Sequence, residues 1–220
     1  MEINGNNAIS LKIEKRNKKY NPIENPLHEG AFSIDDEAKI QLIMQKFEEI
    51  LHVIGLDLED DSIKETPHRI AKMYIHEIFS GLNPKNRPKI TLFKNNYNYH
   101  SPLIELNIPF TSFCEHHFVP IVGKANIAYI PKNYVIGLSK LHRLTNYFAK
   151  RPQVQERLTQ QIHQDLKNLL QTENVGVVLK ANHSCISCRG VEDEGSVTIS
   201  SAISGELKSD GVTVLKLMGT

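Results

Sequence analysis

The sequence predicts an α+β fold in which an antiparallel sheet is covered on one face by a pair of helices, with a helical appendage at the N-terminal side. Two groups of short segments rich in β-forming residues predict the sheet, and two segments of helical periodicity lie between them. Two earlier segments with the same periodicity predict the appendage. With 220 residues, 40% of them hydrophobic and 23% charged, the chain can form one globular domain with such an appendage.

The N-terminal part is predicted to be an arm followed by two helices. Residues 1–34 are polar and show no sustained apolar period, which is typical of a flexible arm. Apolar residues at helical spacing predict a helix from Asp35 to Gly55. A second helix is predicted at ETPHR, where Thr66 can cap and Pro67 fits the first turn. The predicted regions are a flexible arm (1–34), an N-terminal helical region (35–88) and a sheet-containing domain (89–220).

The rest of the chain changes from strands to helices and back to strands. KITLF, PLIELNIPF and GKANIAYIP are short and are bounded by Pro, Gly or Asn, so we expect antiparallel strands there. Helical periodicity then predicts one helix from about Ser139 and another after Pro152. Strand-like segments return in VGVVLKANHSCIS, GSVTISSAIS and VTVLKL.

Composition excludes several classes of protein. No apolar run approaches the length of a membrane span, and MEINGNNAIS lacks the pattern of a secretory signal, so we expect a cytoplasmic protein. A formal net charge of only +1 argues against a broad nucleic-acid-binding face. Three cysteines do not form a disulfide framework, and a reducing compartment leaves them free to bind a metal or to react.

The segment CEHHFVP predicts half of a metal site. Cys114 and His117 have the C-x-x-H spacing with which a thiolate and an imidazole bind one ion from a single turn. Downstream, NHSCISCRG offers Cys185 and Cys188 as further thiolates, next to His183. If both downstream cysteines bind, the ion has four protein ligands and serves as a structural clamp. If only one binds, a coordination position stays open for water and the site can catalyse a reaction.

Strand parity favours Cys185 over Cys188 as the third ligand. In an extended segment Cys185 shares a face with His183, whereas Cys188 falls on the opposite face. A turn before Gly190 would bring Cys188 inward, so the closed site stays an alternative. An open zinc site lowers the pKa of its bound water to about 7, and a nearby histidine, His116 or His183, could then move protons.

Two further clusters are candidates for nucleotide recognition, although solvated helix starts are the ordinary alternative for both. GLSKLHR opens a helix with groups that suit a phosphate chain, and it contains Ser139, Lys140 and Arg143. Arg189 and Lys72 could add charge to the same pocket. RPQVQERL supplies Gln155 and Glu156, and a carboxylate that accepts two parallel N–H bonds can recognise the amide and amino edge of guanine.

Together these residues resemble the GTP cyclohydrolase I family. The family's motifs occur in order from about residue 35 to the C-terminus, as DDSIKETPHRIAKMYIHEIFSGL, CEHHFVP, GKANIAYIPKNYVIGLSKLHR, FAKRPQVQERLTQQI and HSCISCRGV. The arm before Asp35 is not covered by the resemblance.

The resemblance implies a tunnelling fold for the catalytic domain 89–220 and assembly into a toroidal homodecamer with active sites at subunit interfaces. It implies the conversion of GTP and water to 7,8-dihydroneopterin triphosphate and formate, the first step toward folate-type pterins. It also implies one zinc ion per subunit, bound by the residues that match Cys114, His117 and Cys185.

The family's other roles also match numbered positions. Water activated by zinc would attack C8 of guanine, and His183 would pass protons while His116 acts as a second proton-handling histidine. Residues around the ribose and triphosphate match Ser139, Lys140, Arg143 and Arg189, with Lys72 as a further phosphate contact, and the guanine-recognition pair matches Gln155 and Glu156. Cys188 departs from the family pattern, so a fourth zinc ligand or an oxidised Cys185–Cys188 pair could block the open position.

Overall fold

A computed structural model describes residues 21–219 together with the short segments 3–4 and 8–9. Residues 1–2, 5–7 and 10–20 of the predicted flexible arm therefore lie outside the described residues. The chain divides into two compact units, of which the first contains residues 26–80 and the second contains residues 22–25 and 81–219. None of the helices among the described residues is both long and apolar enough to cross a membrane.

The first unit consists mainly of helices. Its elements are β1 (Ile3–Asn4), antiparallel to β2 (Ala8–Ile9), followed by α1 (Asp36–Ile54) and α2 (Thr66–Lys72), which continues as a π-helical segment (Met73–Ile78). The Asp35 side chain accepts a hydrogen bond from the backbone N–H of Ala38, and Gly55 ends α1 in the left-handed conformation (φ 95°). These caps confirm the predicted bounds of α1.

Helix α2 differs from its prediction at its N-terminal end. Glu65 is the residue that precedes it, and Thr66 is its first helical residue, with no side-chain hydrogen bond to a helix N–H at this end. Thr66 therefore does not cap the helix as predicted. The edge of the Phe47 ring meets Tyr74 with 5.6 Å between centroids, so α1 packs against the segment after α2.

The second unit contains a five-stranded sheet. Its elements are β3 (Leu92–Lys94), β4 (Leu103–Cys114), β5 (Pro120–Tyr129), β6 (Tyr134–Ile136), α3 (Leu138–Ala149), β7 (Pro152–Gln153), α4 (Gln155–Leu170), β8 (Val175–His183), α5 (Ser184–Ser187), β9 (Thr198–Ile203) and α6 (Gly211–Met218). The strand order is β7-β4-β5-β8-β9, antiparallel except for the short parallel pair β4–β7, and β3 pairs separately with β6.

One face of this sheet carries the main core. Leu141 and Leu144 of α3 and Leu158 and Ile162 of α4 are buried against the inward side chains of β4, β5 and β8. The structure therefore has the predicted mixture of a mainly antiparallel sheet with a helix pair on one face. A smaller cluster on the other side of the sheet includes Leu217 of α6.

Two predicted strands end differently in the structure. VTVLKL forms α6, because the Asp210 side chain accepts hydrogen bonds from Thr213 and Gly219 ends the helix in the left-handed conformation. Its β-branched residues favoured a strand, but local capping and the buried pair Thr213 and Leu217, four residues apart, favour a helix. The strand predicted through HSCIS stops at His183, and the next four residues form α5.

Candidate metal centre

The sheet brings separate parts of the chain together at one end. The last residues of β4 pair with the start of β5, with Phe113 opposite Pro120. On the other side of β5, the end of β8 places His183 opposite Ile121. Because antiparallel neighbours place the end of one strand beside the start of the next, the residues that follow β4 and β8 meet at this end of the sheet.

The turn after β4 positions the first two candidate ligands. The Phe118 N–H donates to Cys114 O over 2.8 Å, and the Cys114 N–H donates to Val119 O over 2.9 Å. Phe118 takes a left-handed conformation (φ 54°), which lets the chain reverse within this short turn. The reversal leaves Nδ1 of His117 3.9 Å from Sγ of Cys114.

Cys185 completes a group of three metal-binding side chains. One ligand atom from each of Cys114, His117 and Cys185 lies within 4.8 Å of the others. Two thiolates and one imidazole are donors that zinc prefers, with bonds of about 2.0–2.3 Å in a tetrahedral site. The three residues therefore fit a metal ion, as the sequence predicted.

The electrostatics of Cys185 also suit a cation. Burial raises the pKa of its thiol, and the nearby thiol of Cys114 raises this pKa further because two thiolates repel each other. A bound cation would offset both effects, because it stabilises the deprotonated sulfurs. The guanidinium of Arg189 also lies here, with Nη1 3.3 Å from Nε2 of His117 and 3.5 Å from Cys185 O.

Cys188 stands apart from this group. It is exposed, it follows α5, and the metal-binding group found among the described residues does not include it. The choice of Cys185 agrees with the prediction, but the parity reasoning behind that choice was wrong because Cys185 lies in a helical turn and not in a strand. Among the described residues the candidate group therefore consists of three side chains, which is the number of protein ligands in the open alternative.

Two histidines lie beside the metal-binding group. Nδ1 of the exposed His116 is 3.6 Å from Sγ of Cys114. His183 is partly buried, and its Nε2 is 2.8 Å from Oε1 of Gln155. Burial lowers the pKa of His183, while the charge of Glu156 has a weaker opposite effect. Both predicted proton-handling histidines are therefore found at the metal end of the sheet.

The start of α4 reaches the same end through β7. Gln153 pairs with Cys114, so α4 begins two residues after a direct neighbour of a candidate ligand. Glu156, in the first turn, is exposed, whereas Gln155 is only 2% exposed. The predicted guanine-binding pair thus consists of one accessible and one buried side chain.

An ion pair joins α4 to the metal-binding turn, and the sequence did not predict it. Arg157 makes two hydrogen bonds to the carboxylate of Glu115, with 3.2 Å between Nη2 and Oε1, and the two side chains are only 9% and 22% exposed. The Glu115 N–H also donates to Gln153 O over 3.0 Å. The sequence offered no signal for this pair, because its partners are 42 residues apart.

The predicted phosphate cluster lies toward the opposite end of β4. Ser139, Lys140 and Arg143 occupy the first two turns of α3. The other end of α3 is fixed beside the metal end, where the Ser112 hydroxyl donates to Ala149 O over 2.7 Å. At 1.5 Å per residue, Ser139 lies about 15 Å from Ala149 along the helix axis. Within one chain, the start of α3 therefore points away from the candidate metal centre.

The N-terminal half of α3 supports this orientation. Nε2 of His142 is 3.3 Å from Oε1 of Glu105, near the start of β4. The remaining predicted phosphate contact, Lys72, ends α2 in the first unit.

Comparison with known proteins gives consistent matches. The profile of the family described as GTP cyclohydrolase I matches residues 43–219. The chain is 53% identical to GTP cyclohydrolase 1 of Flavobacterium johnsoniae over 185 residues, which cover 84% of this chain and 83% of that protein. It is 51% identical over 187 residues to the enzymes of the same name from Salmonella gallinarum and Escherichia coli, covering 85% of this chain and 84% of each relative.

The similarity to a solved structure is much weaker. The apo crystal structure of an archaeosine synthase QueF-Like matches with a TM-score of 0.38 and 17% identity, covering 48% of this chain and 92% of that chain. This similarity is too low to assign the fold.

Proposed function

The chain belongs to the GTP cyclohydrolase I family, and from this premise we propose how its residues carry out the family's reaction. The enzyme opens the imidazole ring of GTP by hydrolysis, releases formate and forms 7,8-dihydroneopterin triphosphate, the first step of tetrahydrofolate and pterin biosynthesis. The observation that supports a residue-level account best is the Cys-His-Cys group at the end of the sheet, with two histidines and the start of α4 around it.

Zinc is the proposed metal, with one ion per subunit, and Cys114, His117 and Cys185 are its proposed ligands. The donor set and the 4.8 Å limit on the ligand separations support this assignment. Zinc with an open position would supply a Lewis acid that activates water for addition at C8 of guanine. Cys188 is left outside the site, where it can be replaced without loss of the metal.

His183 and His116 are proposed as the groups that move protons. His183 would exchange protons with the ring nitrogen of guanine as the imidazole ring opens, and its place at the end of β8, two residues before Cys185, supports this role. His116 would handle a second proton near the purine, since its ring lies beside Cys114. Ser139 is a proposed catalytic contact to the ribose.

Recognition of the purine is assigned to the start of α4. The exposed carboxylate of Glu156 can accept two parallel N–H bonds from the amide and amino edge of guanine. Adenine presents a ring nitrogen acceptor at this edge, so the same carboxylate would reject ATP. Gln155 was predicted as the second member of this pair, but its burial supports a different role.

The triphosphate is assigned to Lys140, Arg143 and Arg189, with Lys72 as a further contact. The first two lie toward the opposite end of β4 from the metal-binding group, whereas Arg189 lies beside that group. A single chain then offers the two halves of the site in separate places. We therefore propose that the start of α3 from one subunit completes the metal site of another, within a toroidal homodecamer of tunnelling-fold domains (89–220).

Subunit mixing tests the shared site. Cys185→Ser removes a metal ligand and Arg143→Ala removes a phosphate contact, so each variant alone should release almost no formate from GTP. Co-expressed in equal amounts, the two variants should recover roughly a quarter of the wild-type activity, because each site draws its two halves independently from two chains. If mixed assemblies stay as inactive as either parent, the site lies within one chain.

The cytoplasm is the proposed location. GTP is available there, and its reducing conditions would keep the three free cysteines available for metal binding.

A further inference from the structure

Gln155 is an unusual residue for a substrate contact, because its side chain is almost completely enclosed. It is 2% exposed at the first position of α4, whereas the next residue, Glu156, is exposed. A buried amide in a protein interior generally has its hydrogen bonds made by fixed partners. The partners of Gln155 therefore indicate what it does.

The amide nitrogen of Gln155 is surrounded by acceptors. Nε2 lies 3.2 Å from Leu179 O, 3.1 Å from Thr198 O and 2.9 Å from Ser200 Oγ. Two of these partners are backbone carbonyls, which can only accept hydrogen bonds. The reversed amide would set its oxygen against both carbonyl oxygens, so the observed orientation is the one that the sheet permits.

The amide oxygen then has one direction left, toward His183. Oε1 lies 2.8 Å from His183 Nε2. Because an amide oxygen only accepts, Nε2 must carry the proton of this bond. In the neutral ring, Nδ1 is then the unprotonated nitrogen that can take part in chemistry, in the way that a partner on one imidazole nitrogen determines the role of the other.

We infer that Gln155 is a positioning residue that fixes the ring orientation and the tautomer of His183, and that it does not contact guanine. The inference rests on the proposed catalytic role of His183. A direct contact with the base would require the amide to leave its acceptors on β8 and β9, at the cost of leaving buried polar groups unpaired. Fixing His183 requires no movement of Gln155.

A double-mutant cycle tests this inference. Gln155→Met keeps the length of the side chain and removes the hydrogen bond, and it is combined with His183→Ala in the metal-loaded full-length enzyme. Single-turnover formate release, measured with enzyme in excess, resolves the slow rates of the His183→Ala backgrounds. We expect Gln155→Met to lower kcat about 10- to 100-fold with KM for GTP nearly unchanged, since an oriented acid or base contributes about 10²–10⁴-fold.

The second half of the cycle tests whether the effect of Gln155→Met on kcat acts through His183. In the His183→Ala background, Gln155→Met should change the rate less than about twofold, because a residue that acts through His183 has nothing left to position. Equal losses in both backgrounds, or a rise in KM as the main effect, would overturn the inference and favour guanine binding. A His183→Ala variant with the full wild-type rate would instead overturn the proposed role of His183.

Gln161 provides a matched control on the same helix. It is also buried, at 6% exposure, but its amide bonds to Ile23 O, Asn25 Oδ1 and Gln153 Nε2 instead of His183. Gln161→Met should retain kcat and zinc content. A loss of kcat in Gln155→Met alone would then come from its contact with His183, because both variants remove a buried amide. If Gln155→Met does not fold, Gln155→Asn replaces it in the cycle, since it keeps a smaller amide but withdraws the oxygen from His183.

A spectroscopic signature checks the tautomer directly. In the 15N spectra of histidine-labelled enzyme at alkaline pH, with His183→Ala used for assignment, the wild type should show only the Nε2–H form of His183. Gln155→Met should show both tautomers. An unchanged His183 signal in Gln155→Met would contradict the inference.

Discussion

Individual cysteines of this chain have different expected roles, although two of them are only three residues apart. Cys185 belongs to the metal-binding group, whereas Cys188 is exposed and outside it. We expect Cys185→Ser to abolish stoichiometric zinc binding and formate release. Cys188→Ser should retain about one zinc ion per chain and near-wild-type activity, because an open site uses three protein ligands. Zinc analysis and formate release on the same samples provide the measurement.

The opposite result for Cys188→Ser would support the closed site. If Cys188→Ser lost both zinc and stability, the metal would be a structural clamp with four protein ligands. Cys114→Ser serves as the control for complete loss of a ligand, since Cys114 is buried and central to the group.

The ion pair between Arg157 and Glu115 is expected to hold the metal-binding turn in place, because it joins this turn to α4. Arg157→Met leaves the carboxylate of Glu115 partly buried without its partner, so we expect the free energy of unfolding to fall by about 1–3 kcal/mol. The turn would also lose its anchor, and the dissociation constant for zinc should rise about tenfold. Urea unfolding and competition with a zinc chelator measure the two effects.

Arg87 supplies a matched control for that prediction. Arg87 also forms an ion pair with two hydrogen bonds. Its partner is Asp165 of α4, ten residues after Gln155, and not Glu115 of the metal-binding turn. Arg87→Met should affect stability and leave the affinity for zinc unchanged. Equal zinc affinities for Arg157→Met and Arg87→Met would mean that the Glu115 contact does not support the site.

Sequence patterns located single functional residues better than their surroundings. The C-x-x-H spacing of Cys114 and His117 identified two members of the candidate metal-binding group, because both belong to one short turn. The burial of Gln155 could not be predicted, since the first turn of a helix is usually exposed and its acceptors lie on two distant strands. Contacts between remote segments depend on strand register, which the sequence alone did not supply.

Helix α4 contains a histidine that should couple stability to pH. Burial lowers the pKa of His163 from its ordinary value of about 6.5, although a hydrogen bond to Val175 O partly opposes this effect. The folded state therefore binds fewer protons than the unfolded state as the pH falls below about 6.5, and stability decreases through that window. We expect the urea midpoint to be lower at pH 5.5 than at pH 7.5.

His163→Gln should reduce this pH dependence while keeping a donor near Val175 O. His183, whose pKa is also lowered by burial, contributes in the same direction, so a smaller slope should remain in the variant. An identical slope for the wild type and His163→Gln would show that the titration of His163 does not control the stability of the folded state.

Helix α6 shows how caps can override the preference of a segment. VTVLKL has the composition of a strand, but it forms a short helix. The hydrogen bonds from Thr213 to Asp210 cap its N-terminal end, and Gly219 caps its C-terminal end. Asp210→Ala should lower the melting temperature, and Asp210→Asn should lower it less because an amide oxygen can still accept. Equal melting temperatures for Asp210→Ala and the wild type would mean that the cap is not needed.

At the level of the whole molecule, periodicity predicted the arrangement of layers, whereas a site at subunit interfaces was implied only by the resemblance to the family. Helical and strand periodicity identified the helix pair and the main strands, because burial on one face imposes a fixed spacing. The order of the strands in the sheet, and with it the separation of the start of α3 from Cys114, depends on pairing between distant segments. That separation is the physical basis for proposing a site shared between subunits.

The central claim is that one metal ion on three protein ligands, with an open position, enables this chain to hydrolyse GTP. Metal-free wild-type protein should be titrated with zinc while formate release from GTP is measured. We expect activity to rise linearly and to stop rising at about one zinc ion per chain, with the same titration for Cys188→Ser and no activity for Cys185→Ser. Full formate release by the metal-free protein, or by Cys185→Ser, would contradict the account.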